Sequence, residues 1–140
     1  MKTKMNYKEL KEDYQKQVDS LHFMVGFSKK WVEELFKLKK DHQKVYNIWG
    51  GCYANEENYQ KLNQFTKDFE TYIKNKIKEQ DEEFVKGAVY YEMSNYEYPY
   101  SRDAEEVLNA LGLDEKIFED KWFTEVWTKA EKQLLSDYDW

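Results

Sequence analysis

The fold turns on two adjacent runs, VYNIWGGCYAN (45–55) and EENYQKLNQFTKDFETYIKNKIKE (56–79). In the first, Val45, Tyr46, Ile48 and Trp49 are β-formers in a short run. Gly50-Gly51 can adopt the positive φ angles of a tight hairpin, and Cys52-Tyr53-Ala54 is the returning strand. In the second, Tyr59, Leu62, Phe65, Phe69, Tyr72, Ile73 and Ile77 recur at helical spacing, with Asn55 as the N-cap. A chain that passes from one pattern to the other within a few residues mixes hairpin and helix.

Working outward, Tyr7, Leu10, Tyr14 and Val18 form an apolar stripe upstream. His22–Phe27 is short, apolar and Gly-containing, as a buried strand would be, and Ser28 caps a helix carrying Trp31, Val32, Leu35, Phe36 and Leu38. Downstream, Asp81 caps a helix lined by Phe84, Val85, Ala88 and Tyr91. Asn95–Ser101 reads as a loop, because Pro99 pushes Tyr98 toward an extended conformation. Asp103 opens a helix that Gly112 closes, and Asp114 opens the last, with Ile117, Phe118, Trp122, Val126, Ala130 and Leu134 facing inward. The expected fold is α+β and predominantly helical, a single domain over 1–140. It has about five helices over 5–20, 29–40, 56–79, 82–94 and 103–111, with 114–135 as the last, and a small β element around 22–27 and 44–54.

Composition narrows the function classes. The 140 residues include 25 aromatic and only five Ala, so rings must carry much of the core. Single Pro99 and five Gly argue against a low-complexity chain. Cys52 is the sole cysteine, the N-terminus has no signal-peptide pattern and no stretch is long and apolar enough to span a bilayer, which together predict a cytoplasmic protein with no membrane association. His22, His42 and Cys52 match no zinc spacing, Gly50-Gly51 lacks the features of a phosphate loop, and no nucleophile has a recognisable partner. The expectation is a non-enzymatic protein with no catalytic residue, cofactor or metal.

Charge is distributed unevenly. Residues 1–44 carry a net +4, residues 45–80 are balanced, and residues 81–140 carry a net −10. Glu–Lys pairs four residues apart (12/16, 33/37, 57/61, 70/74, 82/86 and 125/129) explain much of the total charge but not this imbalance. The acidic part also holds Tyr90, Tyr91, Tyr96, Tyr98 and Tyr100 within eleven residues. Negative charge with amphipathic rings suits a basic protein partner better than nucleic acid. The candidate contact residues are Tyr96, Glu97, Tyr98, Tyr100, Glu105, Glu106, Asp137 and Asp139, the alternative being that the rings only fill the core. Lys8, Lys11 and Lys16 are candidate RNA contacts, although Glu9, Glu12 and Asp13 dilute their field.

Tyr91-Glu92, Asn95-Tyr96-Glu97-Tyr98 and the run from Asp103 to Leu113, with Phe27-Ser28-Lys29-Lys30 and Trp49-Gly50-Gly51, resemble an uncharacterised family of small phage-borne and prophage proteins. More broadly, the short, acidic, motif-free chain looks like anti-defence proteins of mobile elements, including anti-CRISPR inhibitors. The resemblance implies binding to a basic nucleic-acid-processing protein, such as an RNA-targeting type VI CRISPR effector or its RNA-bound complex. The alternatives are a self-assembling structural or regulatory phage module, a homo-oligomer in which the basic N-terminal face of one copy meets the acidic C-terminal face of another, or a weak RNA-binding factor that uses the lysine-rich N-terminal helices.

Overall fold

A computed structural model describes residues 5–21, 24–25, 33, 37, 45–49 and 52–138. In chain order the elements are α1 (Tyr7–Asp19), β1 (Met24–Val25), β2 (Val45–Trp49), β3 (Cys52–Asn55), α2 (Glu56–Lys78), α3 (Glu82–Asn95), α4 (Tyr98–Ser101), α5 (Ala104–Ala110), a 3-10 helix (Glu115–Glu119) and α6 (Lys121–Asp137). The protein is α+β and predominantly helical. Glu33 and Lys37 are helical and exposed, and the rest of the helix expected over 29–40 lies outside the described residues. The chain clusters into two compact units, one of residues 13–68 and the other of residues 1–12 with 69–140.

The first unit holds the sheet. Its order is β1-β3-β2, with every pairing antiparallel. Val45 faces Asn55, Tyr46 faces Ala54 and Asn47 faces Tyr53, and a bulge then brings Trp49 opposite Cys52. The Gly50-Gly51 turn itself lies outside the described residues. On the central strand Ala54 is fully buried. Asn55 ends that strand and caps α2, its side-chain oxygen accepting the Asn58 amide at 2.9 Å. Two further contacts bind the unit: Tyr46 stacks on Tyr59 at 4.1 Å with rings 5° from parallel, and the Tyr14 and Thr66 hydroxyls share a 2.8 Å hydrogen bond.

The second unit is built around α3 and α6. Lys129 bridges to Glu82, Tyr90 donates to Asp137 at 2.6 Å, and the Ser94 and Tyr138 hydroxyls lie 3.2 Å apart. The first two pairs share a separation of 47 residues and the third is 44 apart, so the helices run parallel and finish at the same end. Parallel neighbours need a long return connection, here supplied by α4, α5 and the 3-10 helix. Val85, Val89, Met93, Val107, Leu108, Leu111, Phe123, Val126, Ala130 and Leu134 fill the core between these elements.

Three expectations are corrected in this unit. Residues 98–101 form a helical turn rather than a loop, because Pro99 sits in the first turn, where its missing N–H is not needed, and both Tyr98 and Pro99 are buried. The last helix starts at Lys121 rather than after Asp114. Asp114 caps only the 3-10 helix, and Asp120 provides a second cap by accepting the Phe123 amide at 3.2 Å. That phase buries Phe123 completely and leaves Trp122 half-buried. Among the ion pairs, Glu57–Lys61 forms at 3.0 Å within α2, whereas Lys129 reaches across to Glu82.

Two helices end in the same way. After α5, Gly112 takes φ +70°, its amide bonds back to Asn109 and the Leu113 amide bonds to Leu108. After α2, Gln80 takes φ 55°, its amide bonds to Ile77 and the Asp81 amide to Lys76. The left-handed position favours glycine. At Gly112 an added Cβ would also lie 2.4 Å from Glu70 Cγ, so Glu70 is packed over the Gly112 backbone. Gln80→Gly should therefore raise stability by about 0.5–1 kcal/mol and Gly112→Ala lower it by about 1 kcal/mol or more, both read by urea denaturation. Adding Glu70→Ala to Gly112→Ala should recover only the steric part of the loss.

Candidate functional site

Carboxylates and tyrosines gather at two places in the second unit, one buried and one exposed. The buried place is Glu92, on the inner face of α3 with no accessible surface. Its carboxylate accepts from the Tyr7 hydroxyl, from Lys11 Nζ at 2.8 and 2.5 Å, and from Asn95 Nδ2 at 3.2 Å. Tyr7 and Lys11 lie four apart on α1 and so present one face. The Tyr7 ring packs edge-on against Tyr91 and Phe84 and tilted against Phe69, and the Lys11 ammonium lies 5.2 Å over the Tyr91 ring. Burial, then the hydrogen bond and negative charge of Glu92, push the Tyr7 phenol well above its ordinary range. Every visible partner of Glu92 is a structural donor, and this arrangement is an anchor for α1.

That anchor places the three candidate RNA contacts in different surroundings. Lys11 is turned inward onto Glu92, whereas Lys8 and Lys16 are exposed. The expected trio does not form one basic face. Stripping a partner from a buried carboxylate leaves an uncompensated charge, so Lys11→Ala should cost about 3 kcal/mol in denaturant unfolding. Lys8→Ala and Lys16→Ala should stay within about 0.5 kcal/mol.

The exposed place lies where α3 and α6 end. Tyr96, the C-cap of α3, is 38% exposed, Tyr138, the C-cap of α6, is 39% exposed, and Tyr100 on α4 is 70% exposed. Glu97 lies on the surface with φ 52°, and Glu105 and Glu106 are exposed in the first turn of α5. Asp137 is exposed and accepts from Tyr90. That bond, then burial, then the charge of Asp137 push the Tyr90 phenol up to about 12. Asp139 lies outside the described residues. Neither α3 nor α6 has a basic residue in its last turn. The partial negative charge of each helix end therefore adds to that of the nearby carboxylates.

Tyr98 belongs with the core, contrary to the expected exposed tyrosine loop. It is 6% exposed, stands edge-on to Trp127 and donates to Glu131 at 2.7 Å. The local sequence held no sign of this, since Glu131 is 33 residues away. Burial, then the bond to Glu131 and its charge, push the phenol up to about 12 against an ordinary 10.0. A raised folded-state value means the neutral phenol stabilises the fold fully below pH 10, and the contribution fades as pH rises toward 12. The melting-temperature gap between the wild type and Tyr98→Phe should accordingly be constant from pH 7 to 9 and shrink between pH 10 and 12.

Among the described residues no three His, Cys, Asp or Glu side chains are placed to hold a metal ion. No described helix is long and apolar enough to cross a membrane. Residues 6–133 match a family of unknown function, DUF7659, and the chain belongs to that family. No curated protein and no solved structure matches it.

Proposed function

We propose that the protein is a non-catalytic binding protein that docks onto a basic nucleic-acid-processing protein and inhibits or modulates it. The observation that carries this reading is the shared end of α3 and α6. Two parallel helix C-termini finish together there with no last-turn cation, beside Asp137 and the exposed rings of Tyr96 and Tyr138. Helix ends of this kind ordinarily take a Lys, Arg or His, and a basic partner would supply the cations that the last turns of α3 and α6 do not themselves carry. Tyr96 and Tyr100 offer contact area at low conformational cost, and Glu97, Glu105 and Glu106 would steer the approach. Tyr98 acts from beneath, by holding α4 in place.

The resemblance to phage-borne proteins extends the proposal to an anti-defence role, with a CRISPR effector of the RNA-targeting type VI class as the target. Charge reversal of Glu97, Glu105 and Glu106 to Lys should weaken binding to such an effector by roughly tenfold or more and flatten the salt dependence of its association rate. Tyr100→Ala should cost about 1–2 kcal/mol of binding, measured on protein whose melting curve shows it folded. Equal affinity across both sets of variants overturns the proposal.

A further inference from the structure

A second feature of the same unit is a groove of mixed charge, lined by three lysines and two aspartates. An open groove of about 440 Å³ runs between the end of α2 and the segment from Gly112 to Asp120. Its apolar wall includes Ile77, Leu113 and Ile117, and Lys74, Lys78 and Lys116 line it as well. Residues 69–140 hold nine basic side chains against eighteen acidic ones, so three lysines beside two aspartates along one groove depart from the local composition.

Helix chemistry accounts for Lys78 and Lys116, each in the last turn of its helix, but not for Lys74. Lys74 and Lys78 stand four apart on α2, where like charges disfavour the helix slightly. Lys78 lies in the last turn and complements the helix end, but Lys74 does not. Glu70, four residues before Lys74, is packed over Gly112 and forms no ion pair with it. Asp114 and Asp120 also line the groove, each with one oxygen engaged by a backbone amide, from Lys116 at 2.9 Å and Phe123 at 3.2 Å. Their other oxygens are acceptors.

We infer that this groove binds a small phosphate ester of nucleotide type, its phosphate held by Lys74, Lys78 and Lys116, its ring laid on Ile77, Leu113 and Ile117, and its hydroxyls offered to Asp114 and Asp120. The volume is within the range of small-molecule sites, and a few converging polar groups on an apolar wall are their usual lining. Lysine binds phosphate as a point charge from any direction, which suits three flexible side chains around one group. The inference is independent of the docking surface proposed above and is tested on the protein alone.

The test is an NMR titration of the full chain with adenosine 5′-monophosphate, adenosine and inorganic phosphate. Adenosine 5′-monophosphate should give saturable shifts at the amides of Gly112, Leu113 and Ile117, with the other two probes binding at least about tenfold more weakly. The exposed substitutions Lys74→Gln, Lys78→Gln and Lys116→Gln, combined, should leave the melting temperature unchanged and weaken the binding by about tenfold or more. Inorganic phosphate binding as tightly as the nucleotide reduces the groove to a simple ion site and overturns the inference. So does the absence of saturable shifts, or affinity unchanged in the triple variant.

Discussion

A carboxylate with no exposed surface is the constraint on which the second unit depends. Glu92 lies on a helix that is otherwise apolar on its inner face, and burying its charge without partners would cost several kcal/mol. Tyr7 and Lys11 supply those partners from 85 and 81 residues away. The start of the chain is therefore tied to α3 by charge as well as by rings. Removing either helix from this contact would leave an ion or a buried phenol unsatisfied.

The parallel arrangement of α3 and α6 follows from a set of polar pairs with nearly constant separation. Once Glu82 meets Lys129, Tyr90 reaches Asp137 and Ser94 reaches Tyr138 without a change of register. The connection must then travel back along the pair, and its bends explain the positive φ angles at Glu97, Arg102 and Gly112. Two of these fall on residues with a Cβ, each carrying strain of about 1 kcal/mol. The same geometry brings both helix ends to one place, so a fold requirement and an unusually negative surface have a common origin.

Lysine charge is put to different uses among the described residues. Lys11 neutralises a buried group, Lys129 fastens two helices, and Lys74, Lys78 and Lys116 face open space along a groove. A tally of charge along the chain treats all five alike. Their surroundings separate them, because a cation's energy is set by what lies within a few ångströms rather than by its position in sequence.

The sequence by itself determined the elements. Periodicity placed α1, α2 and α3, the β-forming run placed the hairpin, and Asn55, Asp81, Asp103 and Gly112 marked ends where the structure has them. Such signals depend on residues three or four apart, which a single chain displays directly. The boundary between the 3-10 helix and α6 is not legible locally because Asp114 and Asp120 are both good caps and both are used, Asp114 opening the 3-10 helix and Asp120 opening α6. Tertiary structure alone decided that Tyr98 is core while Tyr96 and Tyr100 are surface, that Lys11 faces inward, and that three lysines share a groove. Each of those outcomes rests on a partner tens of residues distant, and no local pattern of charge or hydrophobicity encodes which distant group a side chain will meet.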